Sequence, residues 1–203
     1  MLGKVIYSKY NDLWLTAKII ETEAYYLNDK ASHASLGFTK KRKALFMHPG
    51  TIYMYFSRGS DSLNISCLGK GNAVLIKSGY PIKNSGNFDT MIKIMQYLNP
   101  LKNKPGIRKT EKLCSGQTLL CKSLNLNVKD LDKKQFNLNR LFISDQNDNP
   151  EKILSTRRLG ITKGRDEHLF YRFVDYRLSK YCSKNPITKQ AEEGIDFLIN
   201  YSY

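Results

Sequence analysis

Residues 19–33 read IIETEAYYLNDKASH, a strand-like run that carries two acids into an otherwise basic chain. Side chains alternate across a strand, so Glu21, Glu23 and Tyr25 are predicted to share one face. Two carboxylates at positions i and i+2 lie roughly 7 Å apart. Three interpretations stay open on this stretch alone: a solvated face paired with lysines, a carboxylate that activates water as a general base, or a glycosidase-like acid pair.

The pattern around this run predicts a β-rich mixed fold of the α+β class, without regular alternation of strands and helices. The predicted strands span residues 3–10, 13–26, 51–56, 63–68, 73–77, 139–144 and 169–176. A helix is predicted over residues 88–98, because Met91 and Met95 recur on one face and Pro100 stops it. Ser115 is predicted to cap a second helix.

Composition suits one compact domain with a polyanionic partner. The chain has 203 residues, of which 41% are hydrophobic, so it is long and apolar enough to build a core. Lysine and arginine number 33 against 18 acids, which gives a net charge of +15. Such an excess is typical of proteins that bind nucleic acid or anionic membranes, although a merely self-repelling surface would show it too.

Several chemistries lack their sequence signatures. No apolar run approaches the ~20 residues of a membrane span, and the N-terminal MLGKVIYSKYND lacks the apolar region of a secretion signal. The cysteines show no metal-site spacing and are expected to be free thiols in a reducing compartment. They are Cys67, Cys114, Cys121 and Cys182. The three histidines are scattered and no phosphate-binding glycine motif occurs, so we expect neither a metal nor another cofactor.

A second strand offers an aromatic surface. In TIYMYF (51–56), Tyr53 and Tyr55 share one face and apolar residues occupy the other. Such a face is common in ordinary rim packing, but a basic protein can also use it to stack nucleic-acid bases. The run AVLIK places Leu75 and Lys77 on one face, where the lysine is either solvated or in reach of a phosphate.

Taken together and in order, these blocks resemble the alkyladenine (3-methyladenine) DNA glycosylase family. The blocks that carry the resemblance are IIETEAYY followed by His33, then MHPGTIYMYF, then LNISCLGKGNAVLIK. Further downstream, EKLCSGQTLLCKSLNL, RRLGI and LFYRFV resemble later blocks of the family. The resemblance covers residues 2–182, and the combination is specific although each block alone is weak.

The resemblance implies an enzyme of DNA repair. Such enzymes flip damaged purines out of double-stranded DNA and hydrolyse the N-glycosidic bond without a metal or a lyase step. Expected bases are 3-methyladenine-like, with hypoxanthine and 7-methylguanine as further candidates. The implied fold is a single mixed domain over residues 1–185, built on a curved, open-barrel-like antiparallel β-sheet with surrounding helices. We expect a tail at 186–203 with a short helix, a monomer, no membrane partner, and a location in a bacterial cytoplasm or nucleoid or a eukaryotic nucleus.

The resemblance also implies roles for individual residues. Glu23 matches the glutamate that positions and deprotonates the attacking water, and Glu21 is given only a supporting role. The base pocket is expected to consist of Tyr25, His33, Tyr55, Asn64 and Leu75. Among these, the two tyrosines would sandwich the flipped base, and the asparagine would crowd the 2-amino group of undamaged guanine.

The chain departs from the family mainly where DNA is gripped. Arg58 stands where a bulky tyrosine fills the gap in the duplex, and Lys77 stands where the pocket has an arginine. Lys41 and Lys43 replace phosphate-binding arginines. These departures predict an active glycosylase with altered lesion preference or weaker duplex affinity. Two alternatives remain: a catalytically weak or inactive binder of damaged DNA or other nucleic acid, and a generic basic RNA-binding protein.

Overall fold

The computed structural model describes residues 1–57, 59–83, 86–102 and 105–201. Its strands are β1 Val5–Tyr10, β2 Leu13–Tyr25, β3 Ile52–Ser57, β4 Ser60–Ser66, β5 Ala73–Pro81, β6 Leu141–Ser144, β7 Lys152–Thr156, β8 Arg172–Asp175 and β9 Phe197–Tyr201. Its helices are α1 Phe88–Leu98, α2 Gln117–Ser123 and α3 Val128–Leu131. Short 3₁₀ helices cover Ala34–Leu36, Lys43–Phe46, Thr110–Lys112 and Tyr176–Tyr181.

Within these residues, the strands form one nine-stranded antiparallel sheet, which agrees with the predicted α+β class. The order is β3-β4-β5-β2-β8-β7-β9, and β1 pairs with both β2 and β6. The long strand β2 is the organising element, because it pairs with β1 along its first half and with β5 and β8 along its second half. The open-barrel-like curvature of the sheet stays a prediction.

The first half of β2 forms the floor of the main core. Leu15, Ala17 and Ile19 have no exposed surface, and they belong to the same apolar cluster as Met91 and Met95 of α1. The predicted apolar face of α1 is therefore the face that packs on the sheet. Burial of each leucine, isoleucine or methionine side chain contributes about 1.5–3 kcal/mol, so this half of β2 is strongly held.

The second half of β2 is irregular beside the first acid. Ile19 lies opposite Gly79 of β5, whereas Glu21 lies opposite Ser78, so β2 advances two residues while β5 advances one. Such a bulge interrupts strict alternation and re-aims side chains. A second shift between Glu21 and Thr22 restores the register, so the irregularity is confined to Glu21. Glu21 and Glu23 nevertheless differ in their partners, since Glu21 is bound by Arg172 and Glu23 by Lys77.

The tail differs from the prediction. The expected short helix after residue 186 is absent from the described residues, and Phe197–Tyr201 instead forms β9, which pairs with β7. Phe197 and Ile199 point in the same direction and pack in a small apolar cluster with Leu154 of β7. That two-residue period suits a strand and outweighs the helix propensity of the preceding AEEG. The division of the chain at residue 185 stays a prediction.

Two other local predictions need correction. Strand β7, with the sequence KILST, was not predicted, because it is only five residues long. The N-cap of α2 is Gly116, and Ser115 instead donates its hydroxyl to the carbonyl of Cys182 at 2.8 Å. In the described parts of the chain, no helix combines the length and apolar character needed to cross a bilayer.

Candidate active site

A cavity of about 600 Å³ opens beside the second half of β2. Its lining contains seven residues singled out in the sequence: Glu23, Tyr25, His33, Tyr55, Asn64, Leu75 and Lys77. They come from β2, β3, β4, β5 and the loop after β2, so only the folded sheet brings them together. A cavity of this size accommodates a nucleobase with its sugar.

The sheet register explains how part of this lining is assembled. Asn64 of β4 lies opposite Leu75 of β5, and Leu75 lies opposite Glu23 of β2. The three residues therefore lie side by side across three neighbouring strands. Asn64 is further fixed by its side-chain amide, which donates to the backbone oxygen of Tyr53 at 3.3 Å.

Glu23 is the carboxylate that lines the cavity among its described residues, and it has no exposed surface. Its Oε1 atom accepts hydrogen bonds from Lys77 Nζ at 2.8 Å and from the backbone N–H of Leu159 at 3.2 Å. Its Oε2 atom accepts one from the Tyr25 hydroxyl at 2.7 Å. A buried carboxylate needs such partners, and Oε2, with one donor among the described residues, keeps capacity to accept another from water.

Glu21 is also fully buried, but it does not line the cavity. Its oxygens accept hydrogen bonds from Arg172 Nε and Ser183 Oγ, both at 2.6 Å, from Ser183 N at 2.8 Å, and from the Ser78 hydroxyl. Burial alone would raise the pKa of Glu21, but Arg172 and these hydrogen bonds outweigh it and lower the pKa. Glu21 is thus a saturated structural carboxylate, which connects β2 to β5, β8 and the segment at Ser183.

One wall of the cavity is aromatic. The ring centroids of His33 and Tyr55 are 4.5 Å apart, and those of Tyr53 and Tyr55 are 5.5 Å apart. His33 Nδ1 is hydrogen-bonded to the Tyr53 hydroxyl at 2.8 Å. Burial lowers the pKa of His33, and the charges of Arg42 and Arg165 lower it further. The imidazole is therefore biased toward its neutral form, with one nitrogen engaged by Tyr53.

The sequence did not assign a role to several parts of the cavity. Tyr53 was placed on the correct strand face, but no function was attached to it. Residues 115–119 and 159–162 also line the cavity, together with Arg165 and Ser183. These are loops or helix starts without periodicity, and the blocks EKLCSGQ and RRLGI were the only signals that could have found them.

The cavity thus combines an aromatic wall with one carboxylate among its described lining residues. Residues 1–177 match the family described as methylpurine-DNA glycosylase (MPG). The chain belongs to the methylpurine-DNA glycosylase family. As a member of this family it is a DNA glycosylase, a hydrolase of N-glycosyl bonds, and the predicted enzyme class is confirmed.

Bacterial relatives extend the similarity to nearly the whole chain. A protein from Pseudomonas syringae pv. tomato is 52% identical over 98% of this chain and 88% of its own length. One from Pseudomonas aeruginosa is 52% identical over 97% of this chain and 82% of its own length. A third, from Francisella tularensis, is 37% identical over 85% of each chain. All three carry the name "Putative 3-methyladenine DNA glycosylase".

The residues predicted to contact DNA lie in three different settings in this glycosylase. Lys41 and Lys43 are exposed on the loop between β2 and β3. Lys77 is only 8% exposed, and its ammonium lies against Glu23 rather than on the outer surface. A phosphate contact at Lys77 stays a prediction, restricted now to a nucleotide inside the cavity. Arg58 lies outside the described residues.

The cavity of this methylpurine-DNA glycosylase contains Glu23 as its one carboxylate among the described lining residues. Across the described ranges, no three histidine, cysteine, aspartate or glutamate side chains are grouped closely enough to hold a metal ion. The polar groups that line the cavity include the hydrogen-bonded Glu23–Lys77 pair and the His33–Tyr53 pair.

Proposed function

We propose that this protein releases alkylated purines of the 3-methyladenine type from DNA, and that Glu23 activates the water that hydrolyses the N-glycosidic bond. The observation that carries the proposal is the position of one fully buried carboxylate in an aromatic-walled cavity of about 600 Å³. Membership of the methylpurine-DNA glycosylase family and the names of the bacterial relatives support it.

The aromatic wall fits a base made cationic by alkylation. A cation over the face of a tyrosine ring is stabilised by about 0.5–2 kcal/mol, in addition to ordinary stacking. The pocket residues Tyr25, Tyr55 and His33 present such ring surfaces to the cavity. Alkylation also weakens the glycosidic bond, because the base departs neutral. Binding and bond cleavage therefore favour the same class of damaged purine.

Glu23 fits two needs of the proposed reaction. The sugar acquires oxocarbenium-like positive charge as the bond breaks, and a buried carboxylate stabilises that charge strongly because little water screens it. The attacking water must lose a proton, and Glu23 Oε2, whose one donor among the described residues is the Tyr25 hydroxyl, can still accept a hydrogen bond from that water. Lys77 and Leu159 hold Oε1, so the carboxylate keeps one orientation during both events.

Deaminated bases such as hypoxanthine are uncharged, so they lack the positive charge that favours both stacking and departure of an alkylated base. Their release depends more on hydrogen bonds. The neutral His33, with Nδ1 bonded to Tyr53, leaves its other ring nitrogen for the purine edge. Asn64, which pairs across the sheet with Leu75, is proposed to crowd the 2-amino group of undamaged guanine. We therefore expect 3-methyladenine to be released fastest, with hypoxanthine and 7-methylguanine as slower substrates.

The proposed partner is double-stranded DNA that contains such lesions, bound by a monomer. The net charge of +15 supports a polyanionic substrate. Lys41 and Lys43 are exposed on the segment that follows His33, which supports a role in binding the DNA backbone. The role of Arg58 in filling the gap left by a flipped nucleotide remains part of the proposal.

The test is release of free base from methylated duplex DNA under single-turnover conditions. We expect release by the wild-type protein and at least a 100-fold slower rate with Glu23→Gln, because the amide can neither carry charge nor accept a proton from water. Glu193→Gln, at an exposed position, is the matched control and should be unchanged. No release by wild type from any lesion in a panel would refute the enzyme, and lesion-selective binding without release would instead support a damage binder. Equal rates for Glu23→Gln and wild type would refute the role of Glu23.

A further inference from the structure

Arg158 is a buried cation just outside the cavity, in the loop between β7 and β8. Its side chain has no exposed surface, and its guanidinium donates to both carboxylate oxygens of Asp29, with Nη2 to Oδ1 at 2.9 Å. Nη1 also donates to the backbone oxygen of Ala24 at 3.0 Å. This paired, fork-like arrangement fixes the plane of the guanidinium.

The guanidinium covers one face of a pocket tyrosine. Its central carbon lies 4.6 Å from the ring centroid of Tyr25 and 5.4 Å from that of Tyr171. The Nε–H of Arg158 has no hydrogen-bond partner among the described residues, although it is buried. A buried donor is rarely left unpaired. The guanidinium of Arg158 is therefore held beside these two rings although its Nε–H gains no partner there.

Arg158 is linked indirectly to both oxygens of Glu23, to one through the Tyr25 ring and to the other through the backbone of Leu159. The Tyr25 hydroxyl donates to Oε2 at 2.7 Å, and the N–H of the next residue, Leu159, donates to Oε1 at 3.2 Å. Arg158 itself does not line the cavity. Two of the three groups that orient the carboxylate therefore depend on where one guanidinium sits.

We propose that Arg158, held by Asp29, is a positioning residue that fixes the Tyr25 ring and the Leu159 N–H so that the Glu23 carboxylate is correctly aimed. The inference rests on the proposed hydrolytic role of Glu23. Arg158 acts on the rate of bond cleavage rather than on DNA affinity, because it contacts neither the cavity nor the protein surface. Asp29 neutralises its charge, so the Tyr25 face that meets the base stays attractive to a cationic purine.

The experiment measures single-turnover base release from methylated duplex DNA as a function of protein concentration. Its maximum gives the rate of cleavage, and its half-saturating concentration reports DNA binding. The variants are Arg158→Ala and Arg158→Lys. Arg157→Ala is the matched control, since the neighbouring Arg157 is about half exposed and pairs loosely with Asp196 at 3.5 Å. Thermal unfolding of each variant confirms that it is folded.

We expect Arg158→Ala to lower the maximum rate about 10- to 100-fold, the effect of losing one hydrogen bond to a charged group, while the half-saturating concentration changes less than about threefold. Arg158→Lys keeps the charge but loses the fork and the planar contact, so its rate should fall between those of wild type and Arg158→Ala. Arg157→Ala should stay within about twofold of wild type.

Folded Arg158→Ala with a wild-type maximum rate would overturn the inference, as would a loss seen only in the half-saturating concentration. If the alanine variant does not fold, a wild-type maximum rate in folded Arg158→Lys overturns it equally. Wild-type protein that releases no base refutes the proposed function itself. An active wild type with unaffected Arg158 variants refutes only the positioning role.

Discussion

Replacing Glu21 with glutamine should destabilise the protein while leaving the chemistry of the cavity in place. Glu21 and Arg172 form an ion pair with N···O at 2.6 Å, and their side chains are 0% and 2% exposed. Glutamine removes the negative charge and leaves Arg172 as a buried cation without a counter-ion. It also turns one acceptor oxygen into a donor, which then faces Ser183 or Ser78.

The size of the effect follows from this burial. Removing one partner of a buried ion pair typically costs 3–5 kcal/mol, and glutamine retains one acceptor, so we expect about 3 kcal/mol. For a domain of about 200 residues, each kcal/mol lowers Tm by roughly 2–4 °C. The predicted decrease in Tm is therefore about 6–12 °C at neutral pH.

The effect should also depend on pH. Arg172 and the hydrogen bonds hold the pKa of Glu21 below its ordinary value in the folded state. Glu21 therefore stabilises the fold fully above its unfolded pKa of roughly 4.3, and this contribution is lost as pH falls through the lower, folded pKa. The difference in Tm between wild type and Glu21→Gln should begin to shrink below about pH 4 and be lost once the pH has fallen below the folded pKa of Glu21, where both side chains are uncharged.

The assay is thermal unfolding of wild type, Glu21→Gln and Glu23→Gln at neutral and acidic pH, with base release measured below Tm. Glu23→Gln is the contrasting control, because its partner Lys77 borders the cavity and can be solvated there. We expect Glu21→Gln to lose mainly stability and Glu23→Gln to lose mainly activity. A decrease in Tm of less than about 2 °C for Glu21→Gln, or a larger loss of activity than for Glu23→Gln, would refute the reasoning.

Three further predictions concern the cavity. Tyr25→Phe keeps the stacking ring but loses the hydrogen bond to Glu23, so single-turnover base release should slow about tenfold with lesion affinity nearly unchanged; a greater loss of affinity than of rate would contradict this. Lys77→Met removes the 2.8 Å contact to Glu23 and should slow release at least tenfold in a folded protein, measured by the same assay with thermal unfolding as control. Because the pKa of His33 is lowered in the folded state, the folded protein resists protonation of His33. Lowering the pH through about 6.5 should therefore decrease the Tm of wild type. His33→Gln should flatten this pH dependence of Tm over pH 5–8.

Much of the fold was predictable because it depends on local patterns. Alternating and β-branched residues located β1, β2, β3 and β5, and the Met91–Met95 face located α1. The prediction failed for β7 and β9, which pair with each other. Each is only five residues long, and they are held by pairing of β7 with both β8 and β9, which no local window of the sequence contains.

The candidate site was predictable to the extent that a strand face or a family motif contained it. Seven of the singled-out residues do line one cavity. Their mutual contacts were not predictable, since Leu159 and Glu23 are 136 residues apart and Lys77 and Glu23 are 54 apart. Arg158 was passed over for the same reason, because its importance appears only when Asp29 and Tyr25 are beside it.

The sequence determined that two acids stand two residues apart in a strand of a basic chain, and the blocks around IIETEAYY, taken in order, resemble a glycosylase family. The resemblance already gave the two acids different roles, and only the tertiary structure decided that their surroundings differ, since Glu23 lines the cavity and Glu21 does not. Glu21 is bound by Arg172 and two serines, whereas Glu23 lines the cavity and is bound by its neighbour Tyr25 and by Lys77 and Leu159 from distant segments. The physical reason is that a buried carboxylate is defined by its partners, and those partners are brought together by strand pairing rather than by proximity in the chain.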